Sequence, residues 1–377
     1  MQVAGRIAIL AAAMALFGTA KAGHESPVYP SFYPQEIRIE QVDPAEAGEA
    51  LARGRIQAYV GAIAGLSAGR ATSIKSVETL GSLVIVRVNA AAAGGADANG
   101  RCALLQRVTS ALARGAEDFH FHPYPVNPLH ADYLHHFDLA AAAKNRFDTA
   151  ASAAAGLRVR AAGALAEKIA RPHLAPATAE WDASIEEVDL DRLLARHRFM
   201  LNGWIGPPWL KEGWFHAYLL LGRALADGEH KRRADAIVER LQRGAVASQV
   251  EKINLERELL ALLTSDCRTM VAGYIVRHWY YNDDYSLGIE NIAFDSHSGF
   301  RSAIFIRTAK LKDFPWNGWL ALGVPGATAA AWNPLGGFTD ETGRLIWLAL
   351  GDPAMFPEPY NAGWSVNRIG SVKKRAK

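Results

Sequence analysis

Five of the twelve histidines, His120, His122, His130, His135 and His136, fall within one short stretch that also carries Asp132 and Asp138. Imidazole nitrogen and carboxylate oxygen together suit zinc, copper, iron or nickel. Phe119-His120-Phe121-His122 alternates like a strand, which turns both imidazoles to one face. A helix over 131–137 would place Asp132 and His136 four apart on one side. These spacings make His120, His122, His130, Asp132 and His136 a candidate set for a transition-metal ion, zinc or copper. The stretch lacks the His-Glu-x-x-His arrangement of a zinc helix, so a non-metal ligand site and ordinary hydrogen-bonding duty fit the same residues.

A second group lies in Gly288 to Gly299, where Glu290, Asp295 and His297 stand close to Ser296 and Ser298. Carboxylate beside imidazole is the equipment of general acid–base chemistry, and a serine could serve as nucleophile. Asp-Ser-His-Ser-Gly is equally a turn sequence, because Asx side chains bond the backbone two residues on. No Gly-x-Ser-x-Gly elbow occurs anywhere in the chain.

Aromatic residues form a third kind of candidate. All ten tryptophans lie at or after Trp181. Those at Trp204, Trp209, Trp316 and Trp319 are interleaved with Asn and Gly and could stack on a sugar or another planar ligand. Tyr29 and Tyr33, in the proline-aromatic segment 27–34, could line the same site. The commoner use of such residues is to weld loops to a core.

The elements that must position these groups have their own signatures. Glu36 to Val42 alternates as a strand, Pro44 opens a helix that Gly54 ends, and Ile56 to Val60 reads as the next strand, a spacing that implies a parallel pair. A further strand covers Ser82 to Val88, and a helix runs near Cys102 to Arg114. The stretch Ala52-Arg53-Gly54-Arg55-Ile56-Gln57-Ala58-Tyr59-Val60-Gly61 resembles the helix-to-strand step of a periplasmic solute-binding lobe, which implies a similar α/β fold for this part of the chain. From Asp138 onward helices dominate. Asp138 is a candidate N-cap, and Ser184-Ile185-Glu186-Glu187 and Ser248-Gln249-Val250-Glu251 both match a capping box. Between them Trp214 to Ala226 is amphipathic. Ala303 to Ile306 reads as a strand.

The fold class expected is therefore mixed, α+β or α/β. A small α/β lobe with a parallel βαβ unit occupies 23–137, and a mainly helical, Trp-rich region occupies 138–281. A mixed aromatic region with a few strands covers 282–372, and a basic tail 373–377.

Composition narrows the function classes. At 377 residues, 50% apolar and 21% charged, the chain can bury a sizeable core. Its 41 basic residues nearly balance 38 acidic ones, which leaves no electrostatic footprint for nucleic acid. There is no phosphate-binding Gly-rich loop, no dinucleotide fingerprint and no haem-attachment Cys-x-x-Cys-His.

The first 22 residues have the form of a cleaved secretory signal: Arg6, then the apolar run Ile7 to Gly18, then Ala20-Lys21-Ala22. The apolar run is too short to span a bilayer, and no later segment reaches spanning length without Gly, Pro or charge. The expected location is periplasmic or secreted. The two cysteines, Cys102 and Cys267, would pair in an oxidising compartment, while a helical setting would suit buried free thiols.

The leading expectation is an exported ligand-binding or accessory protein that holds a small solute between the α/β lobe and the aromatic-rich helical region. The alternative is a metal-dependent exported hydrolase or oxidase built on the His120–Asp138 cluster, with Glu290 or Asp295 as acid–base partner. A protein partner in an envelope complex is a third class.

Overall fold

The computed structural model describes residues 34, 36–63, 73–92, 95–147, 156–171, 174–177, 180–197, 206–225, 228–313, 318–327, 338, 340–351, 353–367 and 369. Residues 1–33, which include most of the proline-aromatic segment, and the basic tail lie outside this set. Strands in chain order are β1 (Glu36–Gln41), β2 (Ala58–Tyr59), β3 (Ile74–Val88), β4 (Phe119–Phe121), β5 (Arg158–Ala162), β6 (Ala175–Pro176), β7 (Ala183–Asp189), β8 (Thr269–Asn282), β9 (Ile289–Asn291), β10 (Lys310–Leu311), β11 (Trp319–Val324), β12 (Met355–Pro357) and β13 (Trp364–Val366). The α-helices are α1 (Ala47–Ala52), α2 (Ala98–Ser110), α3 (Phe137–Phe147), α4 (Ala164–Ala170), α5 (Leu190–Arg196), α6 (Gly213–Leu221), α7 (Glu229–Arg243), α8 (Gln249–Thr264), α9 (Ala303–Thr308) and α10 (Glu341–Leu350).

The chain is a mixed α/β protein whose main sheet runs β1-β11-β2-β8-β3-β7-β5-β6, with β4 also paired to β8. Its spine is the long antiparallel pair β3/β8, in register from Ile74↔Asn282 to Arg87↔Thr269 and interrupted by two irregularities. Side chains alternate across a strand, so β3 feeds two cores. Leu83 and Ile85 pack with α5 to α8, whereas Val84, Val86 and Val88 pack with α2 and α4. Both faces of the spine are therefore covered. Strands from 36–88, 158–189, 269–282 and 319–324 share this one sheet.

Several expectations change in contact with the structure. The β1–α1–β2 unit exists and its strands are parallel, but they are not neighbours: β11, from far along the chain, lies between them and pairs with both. Ser184 to Glu187 is strand β7, not a helix start. Ser184 Oγ bonds Glu186 Oε1 at 2.9 Å, and the true N-cap is Asp189, which accepts from the Arg192 amide at 3.0 Å. Ala303 to Ile306 is helical, within α9. The helix expected near Cys102 runs from Ala98 with Asp97 as its cap. Ser248 is the N-cap expected, its Oγ accepting from the Glu251 amide at 3.1 Å, while the Glu251 carboxylate takes the amide of Ala247 in place of that of Ser248.

Cys102 on α2 is joined by a disulfide to Cys267, 165 positions away. Cys267 is not helical but sits in the turn between α8 and β8, with φ of 52°. The bridge ties α2 to the entry of the central strand. No described helix is long and apolar enough to cross a membrane.

Candidate ligand-binding site

A cavity of about 160 Å³ opens where α5, the segment 206–211, the loop 295–302, helices α9 and α10 and the β12/β13 hairpin meet. Its wall is largely apolar, with Leu190, Leu194, Leu210, Ile304, Leu348 and Trp364. Set into that wall are Lys211, Asp295, His297 and Ser298 in one group and Asp191, Arg301 and Arg344 in another.

The first group is assembled by a tight turn. Asp295 Oδ1 accepts from the His297 amide at 2.8 Å, the Ser298 amide at 3.1 Å and Ser298 Oγ at 3.3 Å. Gly299 closes the turn with φ of 59°, and its α-carbon lies so close to Trp279 that a Cβ there would fall 2.1 Å from the indole. The turn rests directly on the sheet: the Leu80 amide donates to Ser296 O at 3.1 Å, and a Cβ on Gly81 would fall 1.8 Å from the His297 carbonyl. Glycine at both positions is what lets this loop sit where it does. Lys211, on the 3₁₀ turn Pro208–Lys211, reaches across to Asp295 Oδ2 at 2.6 Å and also donates to the Glu358 carbonyl.

Burial would raise the Asp295 carboxyl, but Lys211 and the two turn amides outweigh it and hold the group below its ordinary range. Asp295 is thus ionised and paired. In the second group, Arg301 contacts Asp191 at 3.2 Å and Glu341 at 2.7 Å, and its guanidinium lies 5.3 Å from the centre of the Trp279 ring. Arg301 Nε is buried with no hydrogen-bond partner among the described residues. Here burial wins, and the Asp191 carboxyl is pushed up in spite of Arg301.

Two imidazoles, His216 and His297, line the cavity, and His130 packs against the second. The His297 ring lies 5.4 Å from His130 and 5.2 Å from His216. His216 Nε2 is 2.7 Å from the Leu210 carbonyl, so that nitrogen carries the proton and donates it. Burial drives the His216 pKa down to about 4 and the His297 pKa well below its usual value. Both are neutral at neutral pH. The cavity therefore offers neutral imidazoles beside two buried ion pairs.

The candidate metal residues fall into separate groups. His120 and His122 stack at 5.9 Å on and beside β4. His130 Nδ1 is 2.7 Å from Asp132 Oδ1, while Asp132 Oδ2 accepts from the Gly213 amide at the start of α6. His136 Nδ1 meets the Tyr124 hydroxyl at 2.9 Å, and its Nε2 lies 3.9 Å from Glu256. Only the pairs are brought together, and among the described residues no group of three or more His, Cys, Asp or Glu is arranged to hold a metal ion.

Of the aromatic candidates, Tyr29, Tyr33, Trp204 and Trp316 lie outside the described residues. Trp209 packs edge-on against Phe215 at 4.7 Å, joined to the helical core. Trp319 is 73% exposed at the start of β11. Glu290 is drawn away from Asp295 and His297 and pairs with Lys310 at 2.9 Å.

Four polar groups of this site, Lys211, His216, Asp191 and Arg301, have no signature in sequence. Lys211 is the one whose setting offers a hint, being a lone cation in the aromatic stretch after Pro207-Pro208.

No family model matches the chain. No curated protein matches it either. Among solved structures it is similar in shape to the periplasmic binding protein DppA from Helicobacter pylori in complex with peptide STSA, at a TM-score of 0.40 and 11% identity over 72% of this chain and 55% of that one. It is similar also to the oligopeptide-binding protein AppA from Bacillus subtilis in complex with a nonapeptide (TM-score 0.39, 13% identity, 71% of this chain and 58% of that). A third is NikA from Brucella suis in complex with Fe(III)-EDTA (TM-score 0.39, 13% identity, 72% of this chain and 60% of that). The chain spans less than two thirds of the length of each.

Proposed function

We propose that this chain is an exported solute-binding protein whose ligand is a small molecule with an apolar body and a polar or charged end. One observation carries the reading: a largely apolar cavity has two ion pairs, Lys211–Asp295 and Arg301–Asp191, set into its wall. Burying ionised groups costs several kcal/mol each, roughly, unless geometry and hydrogen bonds offset it. Their presence at a concave apolar site is the usual mark of a ligand's polar anchor. The ligand would lie between α5 with segment 206–211 on one side and the 295–364 region on the other, away from the N-terminal α/β lobe. Export rests on the leader-like first 22 residues.

The test is a thermal-shift screen of amino acids, short peptides, organic acids and sugars, repeated on Leu194→Trp, which fills the cavity from α5. A true ligand at a hundredfold excess over its Kd should stabilise the protein by about 2.7 kcal/mol. The Leu194→Trp protein should fold and lose that response. A ligand that stabilises both proteins equally, or a screen with no response at all, would remove the cavity as the binding site.

A further inference from the structure

The opposite face of α5 borders a second and larger cavity, of about 440 Å³, that is polar where the first is apolar. Five arginines line it: Arg87 from β3, Arg192 and Arg196 from α5, Arg223 just past α6, and Arg277 from β8. Three carboxylates share the wall, and each is already engaged by the protein. Glu187 Oε1 accepts from the Leu165 and Ala166 amides at 2.8 and 3.1 Å. Glu186 faces Arg87 Nε at 3.4 Å and takes the Ser184 hydroxyl. Asp189 caps α5 through one oxygen and meets Arg277 at 2.6 Å through the other.

That leaves Arg192, Arg196 and Arg223, all exposed and all lining one concavity, with no carboxylate partner among the described residues. Like charges gathered this way repel one another, and the arrangement is stabilised when an anion enters. Arginine rather than lysine at every cationic position also matters, because the planar fork matches the paired oxygens of phosphate or carboxylate. Leu193, Leu219 and Ile275 supply the apolar part of the lining.

We propose that this cavity is a second binding site, for a small multivalent oxyanion: a phosphate ester or a polycarboxylate held by Arg192, Arg196 and Arg223. It is distinct from the apolar cavity and does not depend on what occupies that one. The two share α5 as a wall, with Leu190, Asp191 and Leu194 facing one cavity and Arg192, Leu193 and Arg196 the other.

Calorimetric titration of the full chain with pyrophosphate, and separately with citrate, tests the site and distinguishes the two oxyanion sources. Three variants accompany it: Arg192→Gln/Arg196→Gln, Arg223→Gln alone, and a control, Arg53→Gln/Arg171→Gln, which removes two arginines that pair with Glu49 and Glu167 elsewhere. One probe should bind saturably at one site. Its affinity should fall about tenfold or more in the first variant, as expected for lost charge-assisted bonds. The Arg223→Gln protein should weaken in the same direction, and the control should match the parent chain. Raising salt from about 50 to about 300 mM should weaken binding further. Absence of saturable binding by either probe overturns the proposal. So does equal weakening in the control, which would mark a diffuse charge effect. Should the double variant fail to fold, Arg223→Gln decides alone.

Discussion

Replacing Arg301 with methionine is the sharpest probe of the apolar cavity, because it removes one member of a buried pair and leaves the other in place. The Arg301 side chain is 9% exposed and that of Asp191 12%, so neither is relieved by bulk water. Truncating one partner of such a pair typically costs about 3–5 kcal/mol, most of it the penalty of an uncompensated buried charge. Lost packing of the guanidinium against Trp279 adds a smaller cost. Glu341, the other carboxylate on Arg301, is 41% exposed and can return to water. The loss should therefore trace to Asp191, and pH should reveal it. Burial already holds the Asp191 carboxyl above its ordinary range while Arg301 pulls it down, so removing Arg301 raises it further. An acid with a raised native pKa takes up its proton more readily folded than unfolded, and stability then falls as pH rises through that interval. The destabilisation of Arg301→Met, measured by urea unfolding against the parent chain, should be largest near pH 8 and shrink on acidification. The change can reach about 1.4 kcal/mol for each pH unit over which only the variant's Asp191 is protonated. The double variant Arg301→Met/Asp191→Leu should recover most of the loss. A single-variant loss under about 1 kcal/mol, or one independent of pH, would contradict the reading of Asp191 as a buried, strained carboxyl.

Three further outcomes are expected. Reducing the Cys102–Cys267 bridge, or replacing both residues with serine, releases a 165-residue separation; the chain-entropy relation gives about 5 kcal/mol for a loop of that size, so the melting temperature should drop on adding reductant, and an unchanged melt would show the bridge carries no stability. Burial, with His120 nearby, lowers His122 to a pKa of about 4, so it is neutral when folded but binds a proton when unfolded; stability is then lost as pH falls from about 6.5 to about 4, by roughly 3 kcal/mol from this residue, and His122→Phe should flatten that part of the acid-unfolding curve. Mass spectrometry of the exported protein should find a chain beginning at Gly23; an intact Met1 in that fraction would argue against the leader.

How much of the fold could be read beforehand depended on whether burial was one-sided. Helix α8 and its Ser248 cap were legible because a polar face alternates with Leu255, Leu259 and Leu263. Strand β8 was hidden in a segment read as mainly helical. Its first six residues, Thr269 to Tyr274, are all buried, since helices cover both sides of the sheet. A run buried on both faces has no alternation to detect. The same cause turned α9 into an expected strand: Ala303 to Ile306 are buried on every side, so a short β-branched run carried no helical period. The neighbour relation of β1 and β2 failed for a different reason. Local spacing fixes their direction, but only distant residues of β11 decide what sits between them.

The same distinction governs the site. The Asp295–His297–Ser298 group was visible because all its members lie in one turn, and the turn itself is what points the amides at Asp295. The histidine cluster was visible as composition, yet adjacency in sequence scattered it in space: β4 takes His120 and His122, while the 3₁₀ turn beyond sends His130 toward His297 and His216. The groups that give the cavity its chemical character arrive singly from four elements. Lys211 comes from a turn after two prolines, Asp191 from the first turn of α5, Arg301 from the entry to α9, and His216 from α6. Each is an ordinary residue in its own segment. What makes them unusual is the loss of water that follows when those segments pack, and that loss is set by the sheet's long-range pairing. A charged side chain becomes informative here only once its partner and its burial are known together. That is why Arg301 and Asp191, unremarked in sequence, make the most discriminating pair to perturb.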